Sequence, residues 1–393
     1  MDFDYTPEQE AFRQRIRKFL KDNLPPNAAR AGTPQSGIQP DHAFLRSWQR
    51  KLYEAGLLGI TWPKKYGGAG LTDVELAIFN EEMAMAGAPV PNVSVFGPVM
   101  LAHASEEQKL RYLPKALAGE ERWCLLLSEP GAGSDLGSVR TRAELVGDEF
   151  IVNGHKVWNS GAHLADFGLM LARTDPKAPK HRGLTYMIVD MKDPGVEVRP
   201  LRQITGGSDF NEVFLTNVRV PRANVIGRIN EGWQVAIATL TNERGSLALA
   251  TIVDYFNIFD DLVKMARTAN RGGQAVTRDP RMRQELAQFY IDLMTMKYTI
   301  YRYFTRWLKG ATPGPEGSIN KLAWSELNKR MYDFALAIQG PASQLMPGDG
   351  HAIEQGRWTF GFLRSRANTI EAGTSEIHRN AIAERILGLP KGR

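Results

Sequence analysis

The hydrophobic period changes twice along this chain, and that alternation limits the folds open to it. Residues 1–122 read as helical, 123–228 as strand-forming and 229–393 as helical again. The pattern predicts a helical N-terminal domain, a middle β-barrel or sandwich, and a C-terminal helical domain. Thr6 and Pro7 supply a cap and a first-turn proline for the opening helix, whose apolar stripe is Phe12, Ile16, Phe19 and Leu20. Residues 45–55 and 74–86 repeat the pattern, separated by a turn-rich loop at 62–70. In the middle zone Asn153-Gly154 predicts a hairpin turn between strand-like runs, and 167–173, 184–190 and 213–220 add strands. Further helices are expected at 232–266, 281–309, 318–339 and 357–365.

Composition removes several function classes. No apolar run is long enough to span a membrane, and the first residues show neither a basic nor an apolar leader region. The single cysteine, Cys124, precedes three leucines and reads as packing; one cysteine fits a reducing cytoplasm. A net charge of +6 is modest and dispersed, suited to a polyanionic small molecule but not to nucleic acid. The seven histidines include no H-x-x-x-H pair, so no metal centre is expected.

Two segments carry chemistry. The run Ser128-Glu-Pro-Gly-Ala-Gly-Ser-Asp135 places Gly131 and Gly133 where backbone can approach a ligand, with hydroxyls from Ser128 and Ser134. It lacks the third glycine of a dinucleotide loop and leads into strands, so a plain glycine turn is the alternative reading. Near the C-terminus, Glu371-Ala-Gly-Thr-Ser375 opens a helix with Ile377, Ala381 and Ile382 at helical spacing. Thr374 or Ser375 can cap it, and Glu376 sits in its first turn, where free N–H groups favour anions. An ordinary capped helix is again the alternative.

Together these segments resemble the acyl-CoA dehydrogenase family. Gly154-His-Lys-Val-Trp-Asn-Ser160, the loop at 62–70, Gln108-Lys-Leu-Arg-Tyr-Leu-Pro114 and Phe214-Leu-Thr-Asn-Val-Arg-Val-Pro221 extend the likeness over nearly the whole chain. The resemblance implies an N-terminal helical domain, a middle β domain and a C-terminal four-helix-bundle domain, with FAD as cofactor. It implies that Leu125, Leu127 and Ser128 line the isoalloxazine ring, with Trp158 and Ser160 against its other parts. Gly133 and Ser134 would meet the pyrophosphate or the acyl-thioester tail. Thr374 and Glu376 would contact the adenosine portion, and the Ala372 N–H would polarise the thioester carbonyl.

The same resemblance exposes a departure at the base. Family members often carry a carboxylate directly before Gly-Thr-Ser; this chain has Ala372 there and Glu371 one place early. A family branch that includes isovaleryl- and long-chain-type enzymes instead uses a Glu before a shared Arg on the first C-terminal helix. Glu243-Arg244 fits that pattern, so Glu243 is the expected base, Arg244 its charge partner and a substrate contact, and Glu371 the alternative. The expected activity is α,β-dehydrogenation of an acyl-CoA to the trans-2-enoyl-CoA, with electrons passed to an electron-transfer flavoprotein. A homotetramer or an α2β2 heterotetramer is expected, in the branch that includes steroid side-chain enzymes. The rival readings are a non-catalytic or half-site partner subunit and a related oxidase using oxygen.

Overall fold

The computed structural model describes residues 5–26, 41–91, 93, 96–245, 248–271, 273–310 and 314–391, with backbone only at 241–245, 248, 249 and 271. In chain order the helices are α1 (Pro7–Asn23), α2 (His42–Glu54), α3 (Asp73–Met85), α4 (Gly97–His103), α5 (Glu106–Leu117), α6 (Gly232–Gly245), α7 (Ala248–Thr268), α8 (Pro280–Leu308), α9 (Gly317–Gln339), α10 (Arg357–Asn368) and α11 (Ser375–Arg385). The strands of the middle region are β1 (Trp123–Leu126), β2 (Arg142–Val146), β3 (Glu149–Lys156), β4 (Phe167–Arg173), β5 (Leu184–Asp190), β6 (Val196–Leu201), β7 (Phe210–Pro221) and β8 (Val225–Ile226). The helical, β and helical zones expected from the period are all present. The helical segment expected over 232–266 is helical on both sides of residues 246 and 247, as α6 and α7, and those two residues lie outside the described ones.

These elements divide between two compact units. One holds α2, α4, α5, the β-sheet and α6 through Glu243. Its sheet runs β6-β7-β3-β2-β4-β5-β8, with β1 added in parallel to β4. Only the pair Arg142↔Arg173 joins β2 to β4, so two antiparallel halves meet at one bridge. β4 and β5 are apolar almost throughout and buried along nearly their whole length. β3 and β7 instead bury alternate residues over much of their length, among them Phe150, Val152, Val213, Leu215 and Val218, in a core shared with Met170 and Met187. Cys124 lies in this core, and burial pushes its thiol up to about 12, out of the range of a nucleophile. A Ser105–Gln108 capping box starts α5, and the Gln108 amide donates to the carbonyls of Ala223 (2.7 Å) and Val225 (3.0 Å), fixing the chain that leads to α6.

The other unit holds α1, α3 and the helices from α7 onward. α1 begins as the sequence predicts, with a Thr6–Gln9 capping box, Pro at its start and Phe12, Ile16 and Leu20 buried. The Glu82 carboxylate on α3 is buried and is held by the guanidinium groups of Arg13 and Arg17 on α1. The core of α7–α10 includes Leu262, Phe289, Leu293, Met331, Phe334 and Trp358.

Asn153-Gly154 is not the hairpin turn that its sequence suggests. β3 runs straight through it, and the two-residue turn between β2 and β3 is Gly147-Asp148, with Gly147 at φ 64°. The pairing of β3 with β7 shifts register between Val152 and Gly154, a bulge matched by Asn217 at φ 52° and an Asn153–Asn217 side-chain hydrogen bond of 3.1 Å. Glycine is required at 154 because an added Cβ would collide with the Thr141 side chain across the sheet. Gly154→Ala is therefore expected to cost about 1–3 kcal/mol through overpacking. A lowered urea midpoint at unchanged slope would register it, and a wild-type midpoint would contradict the assignment.

Candidate functional site

In the β-containing unit, the loop after β1 is built around one buried ion pair. Lys156, at the end of β3, is fully buried and donates to the carbonyls of Leu127 (3.0 Å) and Leu171 (2.7 Å) and to the Glu129 carboxylate (2.9 Å). Glu129 in turn accepts from the backbone N–H groups of Arg140 (2.7 Å) and Thr141 (2.9 Å). Burial pulls the Lys156 ammonium down to about 8, although Glu129 opposes the shift. Burial alone would raise the Glu129 carboxyl, but Lys156 and the two amides outweigh it and hold the group below the usual range. The pair thus ties Leu127-Ser128-Glu129 to the far side of the loop at 140–141.

The sequence-selected residues converge on this loop. The Val157 N–H donates to the Ser128 carbonyl (2.9 Å), and the Asn159 amide donates to the Leu125 carbonyl (2.7 Å). Leu125, Leu127, Ser128, Trp158 and Ser160 therefore share one edge, where β1 leaves the sheet. Leu127 is buried, Leu125 and Ser128 are half-buried, and Ser160 is exposed. Trp158 is held at φ 63° with 62% of its surface exposed. A left-handed backbone at a bulky residue costs about 1–3 kcal/mol and persists only where neighbours over-determine it. Here the flanking amides of Val157 and Asn159 are both bonded, the latter to the Asn211 carbonyl at 3.0 Å. Gly133 and Ser134 are exposed at the tip. Gly131 and Gly133 have ordinary φ, and an added Cβ at either would meet nothing within 4 Å. Neither backbone strain nor packing inside this chain demands those glycines, and the open space around them leaves room for a ligand to approach the backbone. A bare aromatic face beside a glycine tip fits a planar, anionic cofactor such as FAD.

The helical unit carries the second segment. Thr374 is the N-cap of α11: its hydroxyl accepts from the Ile377 N–H at 3.3 Å. Glu376 projects from the first turn, and its own backbone amide and the Thr374 hydroxyl hold its carboxyl below the usual range. The turn before the helix is tightly bonded. The Ser375 N–H reaches the Thr369 carbonyl (3.0 Å), and the Glu371 N–H reaches that of Ala367 (2.9 Å). Ala372 is left-handed at φ 51°, and Gly373 follows at φ 94°. The expected apolar stripe of α11 is not what the chain buries. Ile377 is 40% exposed and Ala381 and Ile382 are half-buried, whereas Ser375 and His378 are the buried residues. Ser375 donates to the Glu326 carboxylate (2.8 Å), so the helix seats on its polar N-terminal face.

Glu371, the alternative base, is paired in this structure. Both its oxygens are engaged at 3.0 Å by Arg364, a largely buried guanidinium that also bonds the Asn368 side chain. Glu243 and Arg244 lie on α6 by their backbone; their side chains fall outside the described residues. Sequence reasoning missed Glu129, Lys156 and Lys321, all of them buried polar residues that hold the two segments in place. Glu129 and Lys156 lie inside the quoted motifs, whereas nothing local in the sequence marks Lys321.

Comparison with known proteins adds an independent line. Sequence models described as the acyl-CoA dehydrogenase N-terminal, middle and C-terminal domains match residues 6–120, 124–218 and 230–387. The chain is 39% identical to acyl-CoA dehydrogenase IpdE1 of Mycobacterium tuberculosis over 97% of its own length and 98% of that protein. Among solved structures it matches the Tcur3481-Tcur3483 steroid ACAD with a TM-score of 0.86 at 30% identity, covering 100% of each chain. The ChsE4-ChsE5 complex from Mycobacterium tuberculosis matches with a TM-score of 0.83, also at 30% identity and with 100% of each chain covered.

The ion pair makes a testable demand. Glu129→Gln strands the Lys156 ammonium in the core and is expected to cost about 3–5 kcal/mol in urea unfolding at pH 7. The Glu129 carboxyl is held below its unfolded value, so its stabilisation is complete above that value and lost as pH falls through the folded one. The gap between variant and wild type should accordingly narrow as pH falls below the ordinary glutamate range and close once the folded carboxyl is protonated. A gap that persists there would assign the loss to packing instead.

Proposed function

The chain belongs to the acyl-CoA dehydrogenase family of FAD-dependent oxidoreductases, and we propose that it desaturates a bulky, ring-bearing acyl-CoA with Glu243 as the base. Bound FAD supplies the electron acceptor for that chemistry. The tail turn and α6 supply the rest. The thioester carbonyl would accept a hydrogen bond from the Ala372 N–H, which draws charge toward oxygen and acidifies the α-carbon. A carboxylate aimed at that carbon then removes the proton. The observation that carries the assignment is the engagement of both Glu371 oxygens by Arg364, which leaves the neighbouring acid without an oxygen aimed at a substrate. Glu243, followed by Arg244, is the acid that the family pattern offers instead.

Around that step, Leu125, Leu127, Ser128, Trp158 and Ser160 would hold the flavin ring. Gly133 and Ser134 would hold the pyrophosphate or thioester tail, and Thr374 and Glu376 the adenosine portion. The ring-bearing substrate is proposed because a full-length structural relative at 30% identity, Tcur3481-Tcur3483, is a steroid ACAD. Electrons are proposed to leave for an electron-transfer flavoprotein. Ile370, Ile377, Leu387 and Leu389 are 66%, 40%, 64% and 52% exposed at the tail, which supports a multimer that covers them, as a homotetramer or an α2β2 pair. Residues 1–122, 123–228 and 229–393 are kept as the three domains, and a cytoplasmic setting suits the lone reduced thiol.

Anaerobic reduction of a dye by the purified yellow protein, run across short, branched, long and steroid acyl-CoAs, tests the reading. Glu243→Gln should lower kcat about 10²–10⁴-fold with FAD retained, while Glu371→Gln stays within about tenfold of wild type. A dead Glu371→Gln beside an active Glu243→Gln would reverse the assignment. A colourless protein with no dye reduction would end the enzymatic reading altogether.

A further inference from the structure

The turn that presents Ala372 is gripped by two side chains that no motif singles out. Lys321, on α9, is buried, and its ammonium donates to the Asn368 carbonyl (2.8 Å) at the end of α10 and to the Gly373 carbonyl (2.6 Å). His378, in the first turns of α11, is fully buried, and its Nε2 lies 3.0 Å from the Ala372 carbonyl. A carbonyl oxygen only accepts, so Nε2 carries the proton and the imidazole donates. The two carbonyls that follow Ala372 N–H along the chain are therefore each pinned from a different helix. The grip is close: an added Cβ on Gly373 would sit 2.8 Å from His378 Nε2, so only glycine lets the ring reach this position.

This grip has an electrostatic and a geometric consequence. Ala372 is a non-glycine residue at φ 51°, a conformation that relaxes toward right-handed or extended backbone unless something holds it. Pinning its carbonyl fixes the peptide plane on its C-terminal side, and the Glu371 N–H bond to Ala367 anchors the chain on the other. With both sides set, the Ala372 N–H has one direction. We propose that His378 and Lys321 are positioning residues that orient the Ala372 N–H toward the thioester carbonyl, acting through the carbonyls of residues 372 and 373. The inference rests on the proposed role of that N–H and names what sets it. Glu371 and Arg364 flank the turn as a closed pair, and Glu326 takes the Ser375 hydroxyl, so the polar groups around the turn are bonded to one another and to its backbone.

The test reads polarisation rather than turnover. Cinnamoyl-CoA bound to the FAD-loaded enzyme should absorb at longer wavelength than in water, because a hydrogen bond to its carbonyl draws charge along the conjugated chain. His378→Gln places an amide nitrogen where Nε2 lies and should keep most of the wavelength shift. His378→Asn places it one bond short, at the Nδ1 position, and should lose most of it. Dye-reduction kcat should fall about 10- to 100-fold in the Asn variant, with KM little changed. Lys321→Met removes the second grip and should also reduce the shift. An Asn variant with the full wild-type shift, or Gln and Asn variants that lose it equally, would overturn the proposal. So would loss of FAD from both His378 variants, since the bond is assigned to the turn and not to the bundle. A wild-type protein that shifts the probe but reduces no dye with any acyl-CoA would fail the activity reading and leave the positioning role standing.

Discussion

Two buried ammonium groups hold the loop after β1 and the turn before α11 in this protein. Lys156 and Lys321 each donate to two main-chain carbonyls far from the lysine in sequence, Leu127 with Leu171 and Asn368 with Gly373. A buried ammonium is tolerated only when its protons are satisfied, so each one enforces the separations it spans. Lys156 has a carboxylate as well, Glu129, and the pair organises the loop from Leu127 to Thr141. Lys321 does the same for the turn between α10 and α11. Remove either, and the loop or turn loses its reason to hold one shape.

Two of the strained backbone positions lie beside this rigid support. Trp158 and Ala372 are both non-glycine residues with left-handed φ, and each sits beside one of the lysine-held segments. Such conformations are retained when surrounding bonds over-determine them, and at both places those bonds are present. The strain is used to aim something outward. At Trp158 it turns an aromatic face to the exterior; at Ala372 it sets a peptide plane. Oriented main-chain donors of this kind need no reorganisation as charge develops on a substrate oxygen.

The architecture was legible because its signals are periodic and local. The stripe Phe12, Ile16 and Leu20 and the apolar runs of β4 and β5 reveal helix and strand without knowledge of their neighbours. Capping at Thr6 and Thr374 is equally local. Asn153-Gly154 misled because its glycine answers to Thr141 across the sheet, not to a turn. The apolar face of α11 misled for a related reason: hydrophobic spacing predicts that something covers Ile377, but not that this chain does. Lys156 and Lys321 were invisible because a lysine in a strand or helix usually reaches solvent. Their acceptors are carbonyls 15 to 52 residues away, which carry no sequence signature. Ala372 was visible as a departure from the family pattern, yet the pairing of Glu371 with Arg364 that gives it meaning needed the fold.

In the proposed reaction the tail contributes a main-chain donor and the proton-abstracting carboxylate comes from α6. A crystal structure of the FAD-loaded enzyme with a non-oxidisable 3-thia-acyl-CoA tests it most directly. The thioester oxygen should lie about 3 Å from the Ala372 nitrogen, with the Glu243 carboxylate facing the α-carbon and Glu371 still paired with Arg364. A Glu371 carboxylate released from Arg364 and turned onto the α-carbon would contradict it.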